Sequence, residues 1–528
     1  MGLSRRTFLI SGIAATLAGM ATSSSAEWAV PGAVPSGQWQ SNLVQSSDLG
    51  LVYVRNRGHR LPDFSHAGYR NGQRSLPAVP VVHAIQSVAG DNTAHIQRAI
   101  DKVGAMPRKA NGFRGALLLK AGTYQVSGTL YQRHAGVVIR GMGDGGDPAR
   151  NTIIRAVGNL PASRDVLVVG GDDKGGWDGK VGGRQTNVTS PYVNVADATF
   201  TVADPRGLRV GDNIMIVHPC TPAWLAAVDG GGTGKDAAWE MGSVPIVYNR
   251  YIRALSGNRL TVDVPLFNVL DRSKSQSYVY VWDRAGLVTE VGVEHLRIDI
   301  AASGPSDENH AWTGMRLSQV EDAWIQRCTV LHFAYAGVLT SGATRATISQ
   351  CRSIDPASRV EGNRRYNFCV DRRSQQVLVT RCQARNARHA FVSNGTSSVS
   401  GIVFHRCTAT GSYTSSEGHR QWSQGLLFDN HKEMAPRAER TLSLYNRGDY
   451  GTGHGWSAAH SVAWNSDVAG TQLVVQRPPT AQNYAIGCFG RVTGIGPFSA
   501  PAGHIEGTGR RGLYPASLYE AQLADRRA

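Results

Sequence analysis

The sequence predicts an all-β fold, a parallel β-helix with a capping N-terminal helix and a small β-rich insertion. Three observations carry that expectation. A short strand ending in cysteine recurs in the second half of the chain. Glycine is abundant, 61 of 528 residues, without a three-residue period, so it marks many turns and excludes collagen. One amphipathic segment near the start reads as a helix able to close the end of a solenoid. A hydrophobic fraction of 41% with 18% charged residues implies a folded core rather than disorder. The formal charge of +16 favours polyanionic partners.

In chain order, residues 1–26 come first. Ser4-Arg5-Arg6-Thr7-Phe8-Leu9-Ile10 precedes an Ala- and Gly-rich apolar run that ends in Ser24-Ser25-Ala26. This resembles a twin-arginine export signal with a small-residue cleavage site, which implies a periplasmic or extracellular protein. The apolar run is too short and interrupted for a confident spanning helix, so no membrane span is expected in the mature protein. The seven cysteines, an odd number, cannot all pair. Folding before export in a reducing cytosol fits buried free thiols.

Residues 27–184 are expected to hold the N-terminal cap and the first coils. Gly90-Asp91-Asn92-Thr93-Ala94-His95-Ile96-Gln97-Arg98-Ala99-Ile100-Asp101 predicts a helix capped by Asp91 or Thr93, with Ile96, Ala99 and Ile100 on one face. Gly115–Val126 predicts two short strands around a glycine turn, and Val137-Val138-Ile139-Arg140-Gly141 repeats the pattern. The Gly-Asp-Asn-Thr-Ala helix, the Ala121-Gly122-Thr123-Tyr124 turn and the Val138-Ile139-Arg140-Gly141 strand together resemble the pectate-lyase-like superfamily. The resemblance implies a right-handed parallel β-helix, with that helix over its N-terminal end. It also implies polysaccharide lyase or glycoside hydrolase activity, and it carries no catalytic residue over.

Residues 185–285 read as antiparallel strands with polar turns, a β-rich insertion. Their Gly230-Gly231-Gly232-Thr233-Gly234-Lys235 imitates a phosphate loop, but Asp229 stands where its first glycine belongs and Asp236 where Ser or Thr belongs. The loop Gly171–Asp178 is the one place where a calcium ion is conceivable; otherwise no metal or cofactor is expected.

Residues 286–495 are expected to form the main coils, about seven of them. Strands end at Cys328, Cys351, Cys382 and Cys407, spaced by 23, 31 and 25 residues. Stacked in coils about 4.8 Å apart, these thiols would form an internal column. Residues 496–528 are expected to be a C-terminal cap or tail with a short helix.

Polar residues precede a second repeated strand in coil after coil. They are Asn309, His310 and Trp312; His332; Arg364, Arg365 and Tyr366; Arg388 and His389; His419, Arg420 and Trp422; and His454 and Trp456. Stacked coils would bring them to one corner, a cationic groove with aromatic walls. Arg recognises carboxylates through paired hydrogen bonds, and aromatic rings suit sugar faces. An acidic, uronate-containing polysaccharide is therefore the expected partner. No helix-turn-helix, RNA-binding or zinc-finger pattern is present, so nucleic acid is not expected. The chain is expected to act as a monomer.

Three activities fit. In β-elimination, Arg365, Arg388 or Arg420 neutralises the uronate carboxylate, with Arg364, Asn309, His310, Trp422 and Trp456 also binding substrate. His389 or His419 is then the base, and Tyr366 or His454 the acid. Glycoside hydrolysis needs two carboxyl groups, for which Asp371, Asp429, Asp449 and Glu417 are candidates. The third is a glycan-binding solenoid without catalysis. Basic groups outnumber acids in the column, which favours the lyase.

Overall fold

The computed structural model describes residues 34–172 and 176–528. The export-signal expectation for residues 1–26, and part of the Gly171–Asp178 loop, lie outside them. The chain winds as a right-handed parallel β-helix in which 30 strands are hydrogen-bonded in succession.

Three parallel sheets form its walls. The first runs through Leu130–Gln132, Asp165–Gly170, the starts of Thr313–Gln326 and Ala336–Thr344, Tyr366–Val370, His389–Ser393, Ser416–Gly418 and Arg440–Leu444. The second includes Thr347–Ser349, Leu378–Thr380, Ser400–His405, Ser423–Asp429, Val462–Trp464 and Tyr484–Ile486. The third includes Thr152–Ala156, Arg297–Ile300, Thr329–Leu331, Arg352–Ile354, Gln383–Arg385, Thr408–Thr410 and Lys432–Met434.

The period-2 alternation of strands decides what each residue does. In the first sheet Val338, Phe368 and Phe391 are in register and point into the core. The two phenylalanine rings stack with centroids 5.1 Å apart. The next residues, Cys369 and Val392, are in register and face outward, in one cluster with Tyr366, which pairs with His389 at the strand starts.

The bend from the second sheet to the third is made by one residue in left-handed conformation per coil: His295, Arg327, Gln350, Arg381, Arg406, Asn430 and Asn465, with φ between 48° and 55°. The next residue turns inward, and there Cys328, Cys351, Cys382 and Cys407 stack. Each thiol donates to a carbonyl of the preceding coil, as Cys382 does to Ile348 at 3.5 Å and Cys407 to Val379 at 3.4 Å. Burial pushes the Cys407 thiol up to about 12, so it stays protonated. His431 and Ser466 continue the column, the polar members finding Glu433 and the Phe428 carbonyl.

The helix spans Thr93–Gly104 and buries Ile96, Ala99, Ile100 and Val103 against the first coils. Its N-cap is Asn92, which makes no side-chain cap bond. Asp91 instead accepts from the Thr93 amide and from Ser127, tying the helix start to the adjacent strand turn. This corrects the expectation that Asp91 or Thr93 is the cap residue.

Between residues 186 and 281 a six-stranded antiparallel sheet interrupts the winding. It packs on the outward face of the second sheet, where Leu378, Val403, Leu427 and Val462 meet Ile214, Ile216, Phe267 and Leu270. The helix Leu518–Arg527 lies along the same face, its Tyr519 amide and the Ser517 hydroxyl both donating to Asp429. Among the described residues no helix is long and apolar enough to cross a membrane.

Candidate active site

The corners that lead from the third sheet into the first bring His389, His419, Tyr366 and His454 together. The His389 and His419 rings have centroids 4.6 Å apart, His419 and His454 4.9 Å, and Tyr366 lies 5.4 Å from His389 and 5.6 Å from His419. The residues span 88 positions of sequence, and coil stacking makes them neighbours.

Glu417 is the hub. Register pairs it with Val392 of one neighbouring strand and Ser443 of the other, on the outward face. It is wholly buried, accepts hydrogen bonds from four groups and lies beside a fifth, His389. His419 Nδ1 lies 2.8 Å from its Oε1, His389 Nδ1 3.4 Å, and Tyr445 donates to Oε2 at 3.2 Å. Arg447 donates to Oε1 and Ser415 to Oε2. Burial alone would raise this carboxyl. The Arg447 guanidinium and the hydrogen bonds outweigh it and hold the pKa below its usual range.

The hydrogen bonds fix the imidazole tautomers. His419 Nδ1 faces a carboxylate, so it carries the proton, and Nε2 offers its lone pair. That Nε2 lies 3.4 Å from the Tyr366 hydroxyl, which in turn is 3.3 Å from Arg388 Nη1. His389 Nδ1 donates to the Ser415 carbonyl at 2.6 Å, leaving its Nε2 buried without a partner among the described residues. His454 Nδ1 accepts from Arg447 Nε at 3.3 Å. Burial, then neighbouring positive charge, lowers His419 well below its usual value and brings His454 down to about 4. His389 is likewise held low by burial, against the opposing pull of Glu417. All three rings are neutral at neutral pH. Burial raises the Tyr366 phenol, so it keeps its proton.

His389, Glu417 and His419 each offer a ligand atom within 4.8 Å of the others. A cation there would have to displace Arg447 from Glu417 and the Ser415 carbonyl from His389 Nδ1. The donor set fits an ion pair with two neutral imidazoles better than a metal.

Half-buried Arg388 and Arg420 stand at the rim. Arg420 donates to the Asn394 carbonyl at 3.1 Å, with much of its guanidinium uncommitted. An aromatic line extends the site toward earlier coils, from Tyr366 to Tyr335 at 5.4 Å and on to Trp312 stacked at 6.3 Å. Arg364 sits over Trp312 at 5.5 Å and is ion-paired with Glu308.

Five expected site residues are corrected. Trp422 has no exposed surface; it packs edge-on against Trp224 and donates to Asn268 at 2.9 Å, beneath the insertion. Trp456 belongs to the same buried cluster. His310 is 1% exposed, both ring nitrogens engaged with backbone carbonyls. Arg365 points to the other side of its corner, bonding the Ser358 and Pro305 carbonyls. Asn309 is exposed beyond the cluster, its amide held by Asp307.

Arg447 and Tyr445 were not anticipated. The signal was present, since Glu417 and His419 are two apart, as are Ser443, Tyr445 and Arg447, the spacing of one strand face. The insertion helps to place His454. Trp239 Nε1 donates to the Gly453 carbonyl at 3.2 Å, and a Cβ on Gly455 (φ +59) would lie 2.1 Å from the Gly231 carbonyl oxygen. The phosphate-loop imitation is thus a packing surface against the His454 loop.

Two of the four carboxyl groups expected to serve hydrolysis are committed elsewhere. Asp429 is held beneath the C-terminal helix on another sheet, and Glu417 is saturated by donors. Asp371, half-buried beside Arg420, has its pKa raised by burial.

No protein-family model matches the chain, and no curated protein sequence matches it. Among solved structures it is similar to the tailspike protein gp49 from Pseudomonas phage LKA1, at 15% identity and a TM-score of 0.41, covering 76% of this chain and 64% of that one. It is also similar to an alginate lyase from Paenibacillus sp. str. FPU-7, at 8% identity and a TM-score of 0.40, covering 82% and 99%. A GH87 α-1,3-glucanase catalytic domain matches at 10% identity and a TM-score of 0.39, covering 84% and 67%. The chain spans less than two thirds of the first tailspike's length, and likenesses this distant say nothing about what it binds or cleaves.

Proposed function

We propose that the protein cleaves an acidic, uronate-containing polysaccharide by β-elimination. The observation that carries this reading is the Glu417–His419–Tyr366 line: a neutral imidazole oriented by a carboxylate, its free Nε2 3.4 Å from a protonated phenol. Both groups hold the protonation state that elimination needs without titrating.

Arg388 and Arg420 take the uronate carboxylate, which acidifies H5 and stabilises the enolate as it forms. His419 Nε2 removes H5. The electron pair becomes the C4=C5 double bond, the C4–O4 bond breaks, and Tyr366 gives its proton to O4. The proton on His419 then returns to the Tyr366 phenolate across their contact, closing the cycle. Glu417 stabilises the transient imidazolium, and Arg447 keeps Glu417 charged. Base and acid stand side by side, so they act on the same face of the sugar. In gluco- and manno-configured uronates H5 and O4 share a face; in galacto and gulo configurations they are opposed. The geometry therefore favours glucuronate or mannuronate at the cleaved position.

Hydrolysis is the second reading, favoured by one observation, the raised carboxyl of Asp371 beside Arg420. The test is a panel of acidic glycans followed by ultraviolet absorbance, which detects the unsaturated uronate that only elimination creates. New reducing ends without that absorbance would replace elimination by hydrolysis, and no product from any polymer would leave a glycan-binding solenoid.

A further inference from the structure

We infer that a second site, a cationic cavity on the other side of the same corners, binds the carboxylate of an acidic sugar without cleaving it. The cavity has a volume of about 430 Å³, within the range of small-ligand pockets. Arg155, His332, Arg365, Asn386, Tyr413 and Arg437 line it; Arg365 immediately precedes the first-sheet strand Tyr366–Val370, and the others lie at or just beyond the ends of third-sheet strands.

Three features point to an anion. Arg365 is 6% exposed, yet its hydrogen bonds go to the carbonyls of Ser358 and Pro305 rather than to a carboxylate. A buried guanidinium without a counter-ion is costly, and an anionic ligand would offset that cost. Second, Arg365 and Arg437 both stand over the Tyr413 ring, at 5.7 and 4.8 Å from its centroid. Arg437 is fixed further by bonds to the Tyr413 hydroxyl at 2.8 Å and to Asn386 at 3.3 Å. Two like charges are thus held on one ring, oriented in advance for a planar acceptor. Third, among the described residues the one acid lining the cavity, Asp355, is already paired with Arg385. Arg155 is likewise paired, with Asp299, so the guanidinium groups of the lining that no carboxylate of the described residues answers are those of Arg365 and Arg437.

The cavity is separate from the cluster around Glu417 but linked to it through the backbone. Arg365 faces the cavity and Tyr366 the cluster; Asn386 is followed by His389, and Tyr413 by Glu417. A polymer engaged at the cluster can thus lay a neighbouring uronate into the cavity around the corner. The link to a cleaved polymer rests on the proposed elimination; the binding of an acidic sugar does not.

The test is calorimetric titration of the full chain carrying His419→Ala with a glucuronate or mannuronate trisaccharide, and with its carboxyl-reduced neutral counterpart. Two sites per chain are expected for the acidic sugar. Adding Arg437→Glu, an exposed position, should weaken one of them about tenfold or more with an unchanged melting temperature. That site should be salt-sensitive and refuse the neutral sugar. Unchanged stoichiometry and affinity after Arg437→Glu, equal binding of the neutral sugar, or no binding at all would overturn the assignment. Full turnover by His419→Ala, with one site still lost to Arg437→Glu, would end the elimination reading and leave the cavity standing.

Discussion

His419 Nε2 lies 3.4 Å from the Tyr366 hydroxyl, although 53 residues separate them. One strand between them, His389–Ser393, sets this proximity, because each coil adds one rung to the first sheet. A general base and a general acid are held as a pair before any substrate arrives.

Removing either member should therefore cost about 10²–10⁴-fold in kcat, the usual worth of a positioned acid or base. His419→Ala and Tyr366→Phe should both show it, with far-ultraviolet circular dichroism unchanged. Because the two groups act as one unit, the double variant should lose little more than the worse single one. Losses that multiply would mean that the two act in separate steps.

Side-by-side placement also predicts stereochemistry. Oligomers with glucuronate or mannuronate at the cleaved position should yield unsaturated product faster than their galacturonate or guluronate counterparts. The reverse preference would require base and acid on opposite sugar faces, which His419 and Tyr366 cannot provide.

Much of this was legible in the sequence because a solenoid turns sequence period into spatial stacking. The cysteine-ended strands predicted an internal column, and Cys328, Cys351, Cys382 and Cys407 form one. The same stacking brings His389, His419, Tyr366 and His454 together. What the period leaves open is which side of a corner a side chain takes. Arg364 and Arg365 are adjacent, yet one pairs with Glu308 beside Trp312 and the other faces the opposite cavity. Trp422 follows Arg420 by two residues but lies under the insertion, since which sheet face the insertion covers is a tertiary outcome. Charge balance was equally hidden: Glu417 read as one candidate acid, and only the fold shows Arg447 committed to it.

That commitment is testable through stability. Arg447 is buried in its pairing with Glu417. Arg447→Met leaves the carboxylate without its cation and should cost about 3–5 kcal/mol in urea unfolding. Replacing both, as Arg447→Met with Glu417→Gln, should recover part of that loss because no charge is stranded. A single variant as stable as the parent would show that the guanidinium does not support the carboxylate.

Acid should weaken the fold through the same cluster, and the sign follows from the histidines. In the unfolded chain each imidazole titrates near 6.5; in the fold burial lowers His389 and His419 well below that and His454 to about 4. Between those values the unfolded state binds more protons than the folded one, so stability must fall as pH falls. The histidine contribution is complete above about pH 6.5 and drains away below it, toward about pH 4 for His454. Glu417, held below its usual 4.5, adds a loss of the same sign at lower pH. Urea midpoints should therefore be level from about pH 7 to 8 and decline steadily from pH 6.5 to 4. His454→Gln should make the upper part of that decline shallower, because it deletes one group that must be neutral to fold. A midpoint that rises on acidification would mean that the imidazoles are charged in the fold, and with them the assignment of His419 as a neutral base would fail.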